Sequence, residues 1–339
     1  MRILVTGGTG FVGSHSVAAL VAAGHDVRLL VRSAARIGPA LEPLGGPATV
    51  DHVVGDVTDP GSVARALRGC AAMLHAAAVY DLDARARPAI ARTNVAGAET
   101  VLRAAVEAGC DPVVHVSSTA ALLRRRATVT PDSALSSAPG PYIRSKVASE
   151  AVARGLQDAG APVVIVQPGA VLGPDDPHCG DQARRLRDIL RGRYPVWPSG
   201  GLHVVDVRDV AAVHAAVFAL PAKPTRYLVP GRFVDGATMF ATLRGLTGRR
   251  LPCLVVPSAA MLPLSRSMSA VQRVTPFHLP VDHEGVVFVD AATRCDDSRA
   301  RDELGVEPRA LTETYGDTIR WLHRTGRLTA RQAGAVVRR

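Results

Sequence analysis

Aromatic residues make up only 4% of this chain of 339 residues, and long apolar runs are missing. The longest apolar windows, such as Val210–Leu220, are too short to cross a bilayer, so no stable membrane span is expected. Cysteine is equally sparse. Cys70, Cys110, Cys179, Cys253 and Cys295 are odd in number and scattered, with neither a CxxC pair nor Cys/His ligand spacing. That pattern excludes a disulfide framework and a zinc site, and fits a reduced, cytoplasmic protein. His75, His178 and His203 do not sit at metal-ligand spacing either, and no metal is expected. Met1 stands directly on the first strand, so no leader peptide is expected.

Acidic residues are outnumbered, 30 against 40 Lys and Arg, for a formal charge of +10. Basic patches gather phosphate, so nucleic acid is the first partner to weigh. Here the arginines are dispersed, and the densest run, Arg124-Arg125-Arg126, is three long with no interleaved aromatics. No nucleic-acid partner is expected; the charge reads as a solvated, arginine-rich surface. The apolar and charged fractions, 47% and 21%, are those of a globular protein with a sizeable core.

The chain is organised around its first dozen residues. Ile3-Leu4-Val5 reads as a buried parallel strand that runs into a glycine-rich turn and then an apolar helix, Phe11 to Ala23. Gly7, Gly10 and Gly13 are spaced GxxGxxG, one for a tight turn, one for close backbone approach to a pyrophosphate, one for helix packing on strand. The helix start offers unpaired N–H groups and its dipole to phosphate. Strands follow at Val27–Val31, Val50–Val54, Ala72–His75, Val113–Val116 and 162–167, with helices at Gly61–Arg68, about 88–108 and 142–159 between them. Residues 33–47 read as a surface connection. This alternation predicts a parallel sheet with helices on both faces, an α/β doubly wound fold. Beyond Pro168 the pattern loosens into helices at 182–191, 207–219, 237–246 and 311–323 and short strands near Val204, Tyr227 and Leu254, a smaller lobe over the open strand ends.

The second constellation is Tyr142-Ile-Arg-Ser-Lys146. Gly140-Pro141 marks a helix start, so Tyr142 and Lys146 share one helical face. An ammonium beside a phenol favours the phenolate and makes the tyrosine a usable general acid or base. Ser117-Ser118-Thr119 ends a strand in hydroxyls at the edge where doubly wound folds bind ligands, and Ser118 or Thr119 can hold a substrate carbonyl oxygen. At the end of the second strand, Arg32 and Arg36 stand where a NAD site would carry a carboxylate, so NADP(H) is favoured, with NAD(H) the alternative. Asp209, before an apolar helix, reads as an N-cap. Trp197, Tyr80 and Leu172 read equally as pocket wall or as packing, and the Pro-broken apolar run Val255–Leu264 reads as packing.

Taken in order, TGGTGFVG, Gly55-Asp56-Val57, His75-Ala-Ala-Ala78, Thr93-Asn94-Val95, Ser117-Ser118, YxxxK and Gln167-Pro168-Gly169 resemble an extended short-chain dehydrogenase/reductase of the NAD(P)-dependent epimerase/dehydratase family, most similar to its dihydroflavonol-reductase-like branch. The likeness is specific over residues 1–175 and loose beyond. It implies a Rossmann-type nucleotide unit over 1–170 and a substrate lobe over 171–339, with about 200–230 returning to the core. It makes Ser118, Tyr142 and Lys146 a catalytic triad with Asn94 as a fourth member, Thr119 replacing Ser118 under a one-residue shift. It places the cofactor on Gly7, Thr9, Gly10, Phe11, Val12, Gly13, Asp56, Val57, Ala76, Ala77, Ala78, Pro168 and Gly169 as well as Tyr142 and Lys146. Sugar-nucleotide dehydratases of this kind carry an Asp-Glu pair after the catalytic hydroxyl, where this chain has Ala120-Ala121, so dehydration is not expected. The resemblance therefore implies reduction of a carbonyl, or oxidation of an alcohol, in a small apolar molecule. A hydroxysteroid-type dehydrogenase, a nucleotide-sugar epimerase and a non-catalytic NADP-binding sensor are the rival readings. A homodimer through helices 88–108 and 142–159 is also implied.

Overall fold

Alternate side chains of a strand face opposite sides of a sheet, and the first strand, Arg2–Thr6, shows the consequence. Ile3 and Val5 join one apolar layer with Val17, Leu20, Val210 and Val213, whereas Leu4 joins another with Val63, Ala98, Leu102 and Ala153. Both faces are buried, so the strand is apolar throughout. The computed structural model describes residues 1–46, 50–78, 91–221, 223–272 and 283–338. Among these residues, seven strands form one sheet in the order Thr225–Val229, Val163–Pro168, Val113–Val116, Ala72–His75, Arg2–Thr6, Asp26–Val31, Asp51–Val54. All the pairings are parallel. The doubly wound α/β fold read from the sequence is the one observed.

The strand order reverses direction between Arg2–Thr6 and Ala72–His75. A crevice opens there at the carboxyl ends of the strands, which is where such sheets bind ligands. The helices Phe11–Ala22 and Val207–Ala219 pack together on one face of the sheet, and Pro60–Leu67, Gly97–Glu107 and Pro141–Asp158 cover the other. A separate core of Leu186, Trp197, Phe240, Leu243, Ile319 and Leu322 underlies the later part of the chain.

Several elements differ from the sequence reading. Residues 33–46 are not simple surface: Ile37, Ala40 and Leu41 are buried on the short helix Ile37–Leu41. Between Val116 and the Tyr142 helix, where no strand was read from the sequence, the short strand Thr128–Val129 pairs with Arg294–Cys295. The run at 255–264 does not serve simply as packing. It divides into strand Leu254–Val256 and the start of helix Ser258–Gln272, and leaves Leu254, Val255 and Leu264 exposed. Asp209 is not the N-cap of its helix. Asp206 takes that role by accepting from the Arg208 N–H, while Asp209, buried, pairs with the Arg309 guanidinium and backbone. Tyr80 lies outside the described residues; Leu172 and Trp197 are buried in the second core and line a small cavity there.

Candidate active site

The glycine turn is built by exclusion. Gly7 has φ +76°, and a Cβ there would lie 2.6 Å from the Ala77 nitrogen, so the turn can be close only because that atom is missing. A Cβ on Gly13 would lie 2.1 Å from the Gly7 carbonyl oxygen, which is how the third glycine lets the helix approach the strand. Gly10 is the N-cap of helix Phe11–Ala22 and no side chain caps it. The first-turn N–H groups therefore have no intrahelical acceptor, and their residues border the cavity, a setting that suits an anion. Gly7, Gly10, Phe11, Val12 and Gly13 line a cavity of about 360 Å³. Thr9 lies in the turn and is not among the lining residues.

Neighbouring strand ends complete this half of the cavity. Ala76 and Ala78 line it after strand Ala72–His75, and Ala77 presents its backbone to Gly7. Pro168 and Gly169 line it from the other side, and a Cβ on Gly169 would lie 2.4 Å from the Pro230 carbonyl oxygen. Arg32 and Arg36 stand exposed just past the end of strand Asp26–Val31, outside the cavity, and pair with no carboxylate among the described residues. Asp56 accepts from the Thr58 N–H and hydroxyl, and Val57 packs against Gly97, so both shape the strand end without lining the cavity.

At the far end of the same cavity the structure brings Ser118, Tyr142 and Lys146 together. Tyr142 is 7% and Lys146 5% exposed. Ser118 stands by the phenol, and its hydroxyl donates to the Pro168 carbonyl at 3.5 Å and accepts from the Ala120 N–H at 3.2 Å. The Lys146 ammonium donates to the Val116 carbonyl at 3.3 Å. The depressed tyrosine pKa expected from the Tyr–Lys spacing is not found. Burial raises the phenol well above its ordinary value, outweighing Ser118, and Glu284 acts in the same direction. Burial also pushes Lys146 down to about 8, opposed by Glu150. Each charged form loses water, and desolvation exceeds what the nearby groups return. Thr119 lines the cavity beside Ser118, at the start of the turn Thr119–Leu122.

Asn94 is buried. It is 3% exposed in a π-helical turn, Ala91–Ala96, and donates to the Ser145 hydroxyl, which itself donates to the Tyr142 carbonyl. Thus Asn94 braces the Tyr142 helix, Pro141–Asp158, from its buried side. Sequence reasoning missed Glu150, four residues past Lys146 on the same face. This fully buried carboxylate accepts from Ser117 at 2.5 Å, Gln167 at 2.7 Å and Arg154 at 2.6 Å. The i, i+4 spacing to Lys146 was the available signal. Also missed was helix His283–Ala291, whose Gly285 and Phe288 line the cavity with His203, Thr293 and Cys295.

Fold and site together define a dinucleotide-dependent enzyme of the short-chain dehydrogenase/reductase type, acting at CH–OH or C=O centres. The family model for the NAD dependent epimerase/dehydratase family matches residues 3–229, and the chain belongs to that family. It is 31% identical to a dihydroflavonol 4-reductase-like protein of Synechocystis sp., over 95% of this chain and 94% of the relative. It is 30% identical to sterol demethylase protein B of Methylococcus capsulatus, over 96% and 99% of the two chains. The crystal structure of gox2253 superposes with a TM-score of 0.82 at 27% identity, over 97% of this chain and 99% of that one.

Proposed function

We propose that this protein is an NADP(H)-dependent reductase that converts the carbonyl of a small apolar molecule to an alcohol, with Tyr142 as the proton donor. The observation that carries the reading is one cavity with two chemically distinct ends. Its glycine turn has the missing Cβ atoms and uncapped helix start that a dinucleotide pyrophosphate fits, and its other end holds the two hydroxyls and the buried ammonium. NADP(H), when bound, supplies the hydride. Ser118 and Tyr142 donate hydrogen bonds to the carbonyl oxygen, and Tyr142 gives its proton to the alkoxide as charge develops. A phenol kept protonated by burial suits that direction, because the donor enters the step carrying its proton. Lys146 orients the cofactor ribose and, once charged, eases proton loss from the phenol.

The 2′-phosphate falls to Arg32 and Arg36, exposed at the end of the second strand and paired with no carboxylate among the described residues. Leu123, Leu202 and Phe288 give the substrate end its apolar wall. Relatives named for a flavonoid and a sterol fit a substrate of that character. Ala120 and Ala121, both buried, leave the place of a dehydratase acid–base pair without a carboxylate. In this reading residues 1–170 bind the nucleotide and 171–339 form the substrate lobe. Two copies pair through helices 88–108 and 142–159, of which 88–90 lie outside the described residues. The test is NADPH oxidation, followed by absorbance, across flavonoid-like, steroid, aliphatic and aromatic carbonyls with NADH in parallel. Turnover with an apolar class and a preference for NADPH is expected; turnover confined to sugar nucleotides with NAD would overturn the assignment.

A further inference from the structure

The Tyr142 helix begins without a cap of its own. Elsewhere in the chain, Asp59, Asp206, Asp235 and Thr329 each accept an N–H from the helix they precede. At this helix the N-cap is Gly140, with φ +141° and no side chain, followed by Pro141. A helix start leaves N–H groups unpaired, and burying them without acceptors is costly. Here the acceptor comes from 141 residues downstream: the Ile143 N–H donates to Glu284 Oε1 at 2.8 Å and the Tyr142 N–H to Oε2 at 3.4 Å. Glu284 is 5% exposed, in the first turn of helix His283–Ala291.

Two further observations make this more than a chance contact. A Cβ on Gly140 would lie 2.2 Å from Glu284 Oε1, so the glycine is what admits the carboxylate. The helix that carries Glu284 also forms cavity wall. Gly285 and Phe288 line the cavity, and the Phe288 ring lies 6.5 Å from the Tyr142 ring, while Ile143 packs with Leu123 and Ala291 in one small cluster. Asp290, at the other end of that helix, is held by Arg125 and Ser258. Whatever seats or displaces this helix acts on the start of the Tyr142 helix.

We propose that Glu284 is a positioning residue: it supplies the N-terminal cap that the Tyr142 helix lacks and ties the placement of the Tyr142 hydroxyl to the seating of helix His283–Ala291 against the substrate end of the cavity. The proposal deepens the reductase reading and rests on it for the role of Tyr142, whereas the cap itself does not. Through this contact, a substrate that packs on Phe288 steadies the proton donor.

The test compares wild type, Glu284→Gln, Glu284→Ala and Gly140→Ala in hydrogen exchange of the 141–147 amides and in the pH dependence of turnover. Gln keeps an acceptor oxygen without the charge; Ala keeps neither. In Glu284→Ala, exchange at the start of the helix should rise about tenfold. The kcat should fall about 10- to 100-fold through misplacement of the donor, with NADPH affinity within about threefold because the glycine turn is untouched. Glu284→Gln should restore protection and most of kcat. Its alkaline limb should move to lower pH, since an anion near the phenol is gone. The other ionisable groups around Tyr142 are unchanged in these variants: Lys146, backed by Glu150, His75 and His115, and on the helix itself His283, bonded to Ser265, and Asp290, paired with Arg125. Gly140→Ala should resemble Glu284→Ala. Wild-type exchange and wild-type kcat in Glu284→Ala would overturn the proposal, as would a Gln variant no better than Ala in both measurements. A fully active Tyr142→Phe enzyme would instead remove the reductase reading, and the exchange result alone would then decide whether Glu284 caps the helix.

Discussion

Replacing Lys146 by methionine should make the fold more stable while removing its turnover. The ammonium is 5% exposed and, among the described residues, donates to the strand carbonyl of Val116, with Glu150 as the main favourable charge. Burial lowers its pKa from 10.5 to about 8. The folded state therefore binds the proton less tightly than the unfolded chain does. Below about pH 8 both states are protonated and folding carries the whole penalty; between pH 8 and 10.5 the folded lysine is neutral and the penalty shrinks; above 10.5 it vanishes. The shift corresponds to about 3 kcal/mol at pH 7. Methionine, of similar length, removes the cation and keeps the apolar stem in place. Urea unfolding at pH 7 should show Lys146→Met more stable than wild type by about 2–3 kcal/mol, with the difference shrinking as pH rises through 9 and 10. Turnover should drop below detection. A variant less stable than wild type at pH 7, or a gain that does not depend on pH, would refute the reasoning that the site carries a desolvated cation for chemistry rather than for folding.

Two further changes bear on the end proposed to hold the cofactor. Gly13→Ala places a methyl 2.1 Å from a backbone oxygen that cannot rotate away, so the helix must shift. It should weaken NADPH binding at least tenfold and lower stability by about 1–3 kcal/mol, read by calorimetry and thermal melting; unchanged affinity would show that the turn does not hold the nucleotide. Arg32→Asp should weaken NADPH about 10- to 100-fold, the loss of a charge-assisted contact, and leave NADH equal or better. An unchanged NADPH-to-NADH ratio would remove the 2′-phosphate assignment.

The glycine-turn half of the cavity was legible because its determinants are local. Gly7, Gly10 and Gly13 act through the backbone conformation and close approach of neighbouring residues, and the order of strands and helices around them follows from apolar periodicity. Tyr142 and Lys146 were legible as one face of one helix. Their ionisation was not, because it depends on how deeply later segments bury that face: desolvation, a property of the finished fold, outweighed the lysine–phenol attraction that the spacing suggests. The segment His283–Ala291 was missed for a related reason. HEGVVFVDA has no helix-like spacing of apolar residues, yet its Glu284 meets the Tyr142 helix 141 residues away in sequence. Asp206 and Asp209 show the same limit on a smaller scale: two acids near one helix start, one a cap and the other a tether to Arg309, separable only by what lies opposite each.

The most direct measurement of the central claim is NADPH affinity and turnover of Tyr142→Phe, side by side with wild type on whichever carbonyl the wild type reduces. The phenyl ring keeps the packing against Phe288 and removes the hydroxyl, and with it both the hydrogen bond to the carbonyl and the proton that the alkoxide needs. The account expects affinity within about threefold of wild type and a kcat at least about 100-fold lower. Full activity in the Phe variant would contradict it.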